Sequence, residues 1–184
     1  MWNIYLSGEI HTDWREQIIS RCAALKLPVK FTSACTNHEA SDAAGDHLAD
    51  TATSFWRDNQ SAKVNAIRTK NLIAQADIAI IRFGDKYKQW NAAFDAGYCA
   101  AMGTPYITLH GEDIIHPLKE VNAAAMAWAA DVDQVITTLT HVTQWVSVDA
   151  LNRVGQQPAI IRDMDQGKLM PIEFQSYQTP PSPR

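Results

Sequence analysis

ADIAIIRFGDKYKQWNAAFDAGYCAAMGTPYITL, residues 76–109, decides the fold. Ile78, Ala79, Ile80 and Ile81 form a continuous apolar run of strand length, as a parallel strand covered on both faces requires. Residues 104–110, TPYITLH, read as the next strand, with Pro105 at its mouth. Between them, Asn91 to Met102 has helical spacing, with Asn91 as its N-cap and Gly103 as its stop. Such a β-α-β unit opens its helix at the carboxyl edge of the sheet, where open α/β folds bind ligands. Asp95 is the one carboxylate in this small, apolar helix, and it lies in the first two turns, where the helix dipole favours an ionised acid. The pattern predicts an acid facing a cleft. The structural alternative is that Asp95 only caps or solvates its own helix.

Working outward, residues 2–7, WNIYLS, predict a first strand, followed by Gly8 and a polar turn. A helix follows from Asp13 to Lys26, with Trp14, Ile18, Cys22 and Leu25 at helical spacing and Thr12 or Asp13 as cap. Residues 28–33, PVKFTS, predict a second strand. Residues 34–53 are polar, rich in Asp, His and Ala, and show no periodicity. Asn59 to Ala74 predicts a helix, a short helix follows Pro117, residues 126–129 are a weak fifth strand, and Val132 to Trp145 is amphipathic. Strands alternating with helices imply right-handed crossovers. The expected fold is therefore α/β: a flavodoxin-like, doubly wound, five-stranded parallel sheet of order 2-1-3-4-5 with helices on both faces. The pattern ends near residue 146, so residues 1–146 are expected to form the domain. Residues 147–184 are expected to form a partly irregular extension, with a small hairpin of Ala159–Arg162 and Pro171–Phe174 and an extended tail, SYQTPPSPR.

A chain of 184 residues can bury one substantial core, and 46% hydrophobic with 20% charged residues is ordinary for a globular protein. The net charge of −4 gives no electrostatic reason to expect nucleic acid or an acidic membrane as partner. No run approaches the ~20 apolar residues of a membrane span. Cys22, Cys35 and Cys99 have no CxxC spacing, which suits reduced thiols and a cytoplasmic location. The start, MWNIYLSGEIHTDW, lacks a basic region and a long apolar run, so no signal peptide is expected. No P-loop, GxGxxG in context or Ser-His-Asp arrangement is visible, and no cofactor is expected. His38, His47, Asp42, Asp46 and Asp50 cluster in the polar stretch without zinc-ligand spacing, so no metal is expected there.

IYLSGEI at residues 4–10, taken with residues 76–109, resembles the nucleoside 2-deoxyribosyltransferase superfamily. The span from Asn3 to about Trp145, roughly four-fifths of the chain as judged from where the β-α pattern stops, is most similar to its YtoQ-like family. Superfamily members carry a helix of the form aromatic, Glu, apolar, Gly, followed by a Gly/Lys-Pro approach to a strand. The matching residues are Phe94, Asp95, Ala96, Gly97 and then Gly103-Thr104-Pro105, with aspartate where the superfamily has its glutamate nucleophile. The resemblance implies cleavage of an N-glycosidic bond in a nucleoside or nucleotide, by a hydrolase or a deoxyribosyltransferase. The alternative is a non-catalytic nucleotide-binding module of the same fold. It also implies a homodimer or larger homo-oligomer, in which a neighbouring subunit completes the pocket.

A carboxylate suits that chemistry because positive charge develops at the anomeric carbon, which the acid can stabilise or attack. Asp95 is the candidate nucleophile, and its shorter side chain requires the sugar to sit roughly 1 Å closer than for glutamate. Asp85, at the carboxyl end of its strand, is the candidate for orienting or protonating the base, against a turn-forming role. Ser7, Gly8, Glu9, Ile10 and His11 are expected to line the sugar or phosphate wall, Gly8 letting backbone amides approach a ligand. By resemblance to deoxynucleoside-monophosphate N-hydrolases, Arg15 would meet a 5′-phosphate; pairing with a neighbouring acid is the alternative. Trp90, with Asn91 beside it, is expected at the substrate, Trp90 and Tyr87 stacking on the base, with Trp56 a further candidate. Asp77, at the other end of the third strand, reads as structural.

Overall fold

The computed structural model describes residues 1–48, 52–85 and 89–144, together with the backbone of 160–162 and 169–171. Five strands, β1 (Trp2–Gly8), β2 (Val29–Ser33), β3 (Ile78–Arg82), β4 (Tyr106–Leu109) and β5 (Ala127–Ala129), form one sheet in the order β2-β1-β3-β4-β5. Every pairing in it is parallel. The order is the flavodoxin-like one expected from the sequence. Helices α1 (Trp14–Ala24), α2 (His38–Asp42), α3 (Ser54–Ala74), α4 (Trp90–Met102), α5 (Lys119–Ala124) and α6 (Val132–Thr143) connect or flank the strands, with a 3-10 turn at Glu112–Ile114.

Alternation along the strands divides the core in two. Ile4, Leu6, Ile78, Ile80, Ile107 and Leu109 point to one face, where Trp14, Ile18 and Cys22 of α1 and Val135, Ile136 and Leu139 of α6 cover them. Tyr5, Ala79, Ile81 and Tyr106 point to the other, against Ile73 of α3 and Ala92, Ala96 and Cys99 of α4. Because both faces are covered, the central strands are largely apolar, with Asn3, Ser7 and Thr108 as their buried polar residues. At the amino edge the Asp77 carboxylate accepts from the Asn3 backbone amide at 2.7 Å, and the Asn3 side chain donates to the Gln75 carbonyl at 2.7 Å. These bonds set the β1–β3 register, a structural role for Asp77.

Several boundaries differ from the expected ones. The helix α4 begins at Trp90 with Gln89 as its N-cap, so Asn91 lies inside the first turn instead of capping it. Gly103 ends that helix in the left-handed conformation, φ 73°, as a glycine stop should. The helix α3 starts at Ser54, five residues before the apolar stripe becomes legible, because Phe55 and Trp56 in its first turn are exposed. The polar stretch contains α2, capped by Asn37, whose side chain accepts from the Ala40 amide at 2.9 Å. A helix of five residues is too short to show a period. The helices α1 and α6 end at Ala24 and Thr143, two residues short of the expected stops.

The chain divides into Met1–Gln144 and Trp145–Arg184. In the second part β6 (Ile160–Arg162) and β7 (Leu169–Pro171) pair antiparallel, with Ile160 opposite Pro171. The second strand thus comes earlier than the expected 171–174. Ala159, residues 172–174 and the tail from 176 lie outside the described residues. Among the described residues no helix is long and apolar enough to cross a membrane.

Candidate active site

Asp95 lies on the buried side of α4, 8% exposed. Its Oδ2 accepts a hydrogen bond of 2.5 Å from the Ser7 hydroxyl near the carboxyl end of β1. The carboxylate therefore reaches away from its own helix to the rim of the sheet. Strand alternation explains the pairing: Tyr5 and Ser7 share the face of β1 that α4 covers. Burial pushes the Asp95 carboxyl above its ordinary range, while the Ser7 and Tyr5 hydroxyls favour the ionised form and oppose that rise. The Tyr5 phenol is pushed up by burial and then by the Asp95 charge. Its buried hydroxyl has no hydrogen-bond partner within ordinary geometry among the described residues, although Asp95 and Thr69 lie within its electrostatic reach. One helical turn further on, burial and the Asp95 charge push the Cys99 thiol up to about 12, so it stays protonated. Tyr5 and Cys99 were not among the expected site residues. Cys99 was discoverable as the i+4 neighbour of Asp95, whereas Tyr5 needed knowledge of which strand face meets α4.

The turn after β1 is tightly built. Gly8 has φ 108°, and a Cβ there would lie 2.0 Å from the Arg82 carbonyl oxygen, so only glycine lets β1 and β3 run together to this point. Glu9 is buried, its amide donating to the Arg82 carbonyl at 3.2 Å. Its carboxylate accepts from the His11 amide and, at 2.6 Å, from the Thr12 hydroxyl. The Glu9 carboxylate is thus held by its own turn, and its Cγ packs against Gly84, where a Cβ would come within 2.5 Å. Arg15 is also buried: its guanidinium donates to the carbonyls of Glu9 and Gly8 and to the Ser33 hydroxyl, and stacks on Trp14 at 4.4 Å. Burial lowers the affinity of that guanidinium for its proton, and the nearby Glu9 charge opposes the effect. In this arrangement Arg15 braces the turn. Ile10 is half-buried and His11 exposed.

On the other side of the rim, Asp85 is exposed just beyond β3, and no contact joins it to Asp95 among the described residues. Gln89 sends its Oε1 back to the Gly84 amide at 3.1 Å, which ties the start of α4 to the end of β3. Trp90 is 71% exposed, and Asn91 is exposed beside it. Tyr87 lies outside the described residues. Trp56 lies elsewhere, lining a groove of about 430 Å³ on α3 with Leu48, Lys63 and Ile67. A smaller hollow of about 230 Å³ lies between α1 and the end of β2, lined by Arg15, Phe31, Ser33 and Thr36. Asp95 lines neither. The structure brings Ser7, Gly8, Glu9 and Arg15 into one braced turn and joins Ser7 to Asp95, whereas no hydrogen bond joins Asp85 to Asp95 among the described residues.

Beyond the expected residues, the carboxyl end of β4 carries His110, fully buried and stacked on Trp128 at 5.6 Å. Its ring nitrogens lie 2.7 Å from the Gly111 carbonyl and 3.1 Å from the Asn122 side chain, to which the Thr108 hydroxyl donates at 2.8 Å. This network fastens α5 to β4. In the polar stretch, His38 pairs with Asp42 and Arg57 with Asp46; among the described residues no three His, Cys, Asp or Glu side chains are placed to hold a metal.

A five-stranded parallel sheet of this order, with helices on both faces, defines a flavodoxin-like α/β domain. The chain belongs to the nucleoside 2-deoxyribosyltransferase YtoQ family, whose model matches residues 5–143. It is 39% identical over 140 residues to the uncharacterized protein YtoQ of Bacillus subtilis (strain 168), a match covering 76% of this chain and 95% of that protein. Among solved structures, a conserved protein from Enterococcus faecalis V583 shares the fold, with a TM-score of 0.54, 11% identity, and coverage of 77% of this chain and 99% of that one. The 2-deoxyribosyltransferase of Bacillus psychrosaccharolyticus aligns with a TM-score of 0.46 at 20% identity, over 74% of this chain and 95% of that one.

Proposed function

We propose that this chain cleaves the N-glycosidic bond of a nucleoside or nucleotide, with Asp95 as nucleophile or cation stabiliser. The observation that carries the reading is the Asp95 carboxylate at the carboxyl rim, bonded to Ser7 of β1 and not to its own helix. In the nucleophilic form of the reaction, Asp95 forms a bond to the anomeric carbon as the bond to the base nitrogen breaks. The base leaves with the bonding pair and takes up a proton. Water or a second base then attacks the same carbon, the sugar-carboxylate bond breaks, and the carboxylate is restored. Asp85 is the group proposed to orient or protonate the base. Ser7 holds the carboxylate, and the turn of Gly8, Glu9, Ile10 and His11, braced by Arg15, forms the wall on the sugar side. Trp90 and Asn91 stand at its outer edge.

Two facts favour a second reading, a binding module in which Asp95 holds a sugar hydroxyl: aspartate replaces glutamate, and Asp95 is 8% exposed. A sugar that meets it must displace part of its present surroundings. Incubation of the full chain with a panel of nucleosides and nucleotides, followed by chromatography for free base, separates the readings. Repeating the reaction with a second base present distinguishes transfer from hydrolysis. Absence of any base release, together with a melting temperature raised by one of the same compounds, establishes the binding module.

The pH profile offers a further check. The reacting form is the ionised carboxylate, and burial raises its proton affinity, so the acid limb of the rate profile is expected above the ordinary carboxylate range. Ser7→Ala removes a hydrogen bond to the ionised form. The limb should then move to higher pH, with a loss of about 10-fold in rate on its acid side. An unmoved limb would separate Ser7 from the titrating group.

A further inference from the structure

The groove of about 430 Å³ on α3 is lined by neither Asp95 nor the turn after β1. By helical spacing Trp56, Asn59, Lys63, Val64 and Ile67 fall on one stripe of α3, and Leu48 closes the groove from the turn that precedes the helix. That turn is fixed to α3. The buried Ser61 hydroxyl accepts from the Gly45 amide at 3.0 Å and donates to the Asp42 carbonyl at 2.6 Å. The Gln60 side chain donates to the Gly45 carbonyl at 2.6 Å, and the Asn65 side chain to the Ser41 carbonyl at 2.9 Å. The Leu48 amide donates to that same Gly45 carbonyl at 3.0 Å. A Cβ at Gly45 would stand 2.8 Å from Gln60 Cγ, so the turn lies directly against the helix. The groove therefore has its shape before any ligand arrives.

Its lining has a definite chemistry. Leu48 is 49% exposed, Trp56 55% and Ile67 66%, more apolar surface than a water-facing helix normally shows. Phe55 meets Trp56 edge-on, ring centroids 5.0 Å apart, which fixes the orientation of the indole. Asn59 and Lys63 stand one helical turn apart on the stripe, and neither side chain makes a hydrogen bond or ion pair among the described residues. Lys63 is the one ionisable side chain among the described residues of the lining. Asp58 falls on the opposite side of α3 by helical spacing, and Asp46 is already paired with Arg57. In a chain of net charge −4, this groove is apolar and cationic.

We infer that this groove is a binding site for a small aromatic carboxylate. The ring packs on Trp56 and Ile67, and the carboxylate accepts from the Lys63 ammonium and the Asn59 amide. A single lysine balances a single negative charge, which favours a monoanion over a doubly charged phosphate. The volume lies within the ~300–1,000 Å³ range of small-molecule sites. The lining offers an uncharged nucleoside no use for its one ammonium. The assignment does not depend on the glycosyl reaction.

Calorimetric titration of the full chain with naphthoate, indoleacetate and salicylate tests it. The expected result is saturable binding of one molecule per chain by at least one of these acids. Lys63→Gln should weaken that binding at least ~10-fold, and so should Trp56→Ala. Both side chains are exposed, so both variants should keep the wild-type melting temperature. Naphthamide, the uncharged counterpart, should bind at least ~10-fold more weakly than naphthoate and be indifferent to Lys63→Gln. Lys30→Gln, at an exposed lysine of β2, should leave the affinity unchanged. Absence of saturable binding by all three acids overturns the inference, as does an affinity that Lys63→Gln leaves intact. Binding that is lost with Trp90→Ala and kept with Trp56→Ala would move the site to α4 and overturn it too. Binding that fades as the chain concentration rises would give the groove to a second copy, and equally tight displacement by a nucleoside monophosphate would give it to a nucleotide. Either result also overturns the assignment.

Discussion

Replacing Asp95 with asparagine is expected to abolish base release, with a loss of at least ~10³-fold, the scale on which removal of a covalent nucleophile acts. Asparagine keeps nearly the same shape, and its carbonyl oxygen can still accept from the Ser7 hydroxyl, so the loss would report chemistry and not collapse of the site. The same substitution has the opposite effect on stability. The Asp95 carboxyl binds its proton more tightly in the folded chain than in the unfolded one. Stability therefore falls as pH rises from the ordinary carboxylate range through the raised folded value, and the full penalty is present above it. Asparagine removes that penalty, so the variant should be more stable than the parent at neutral pH, with the gain vanishing in acid. Urea unfolding at neutral and acid pH, run beside the chromatographic assay, gives both numbers. An Asp95→Asn variant that still releases base at the wild-type rate would place the nucleophile elsewhere.

The largest effect on stability is expected at Gly8. In Gly8→Ala the new Cβ would stand 2.0 Å from the Arg82 carbonyl oxygen on a backbone with φ 108°. The dihedral alone costs about 1–2 kcal/mol for a residue with a side chain. Relieving the overlap must also part β1 from β3, where Glu9 donates to that same carbonyl. The total should reach about 3 kcal/mol or more, visible as a lower urea midpoint. Gly103→Ala separates the two causes. Gly103 also has a left-handed backbone, φ 73°, but its Cβ would meet open space. It should lose only the dihedral part, about 1–2 kcal/mol. Equal losses at the two positions would show that the close approach of β1 and β3 contributes nothing.

The sheet order was legible because parallel strands buried on both faces read as near-continuous apolar runs, as residues 78–81 do throughout and residues 106–109 do apart from Thr108. The start of α3 was not legible, since Phe55 and Trp56 put apolar side chains in water and hide the amphipathic period. At the site, Asp95 could be singled out as the lone acid in a small, apolar helix. The roles of Glu9 and Arg15 could not. Both look in sequence like groups for a ligand, yet each is bound to its own turn, because a buried charge is stable only where nearby groups satisfy it.

By itself, then, the sequence determined the succession of strands and helices, the parallel sheet that follows from it, and the lone carboxylate of the apolar helix between β3 and β4. Tertiary structure alone decided that Ser7 meets that carboxylate, that Gly8 lies against Arg82, and that Arg15 turns inward. Hydrophobic period is a local property, readable over a few residues. Partners separated by 88 positions, as Ser7 and Asp95 are, become neighbours only once the crossovers have chosen which face of β1 lies beneath α4.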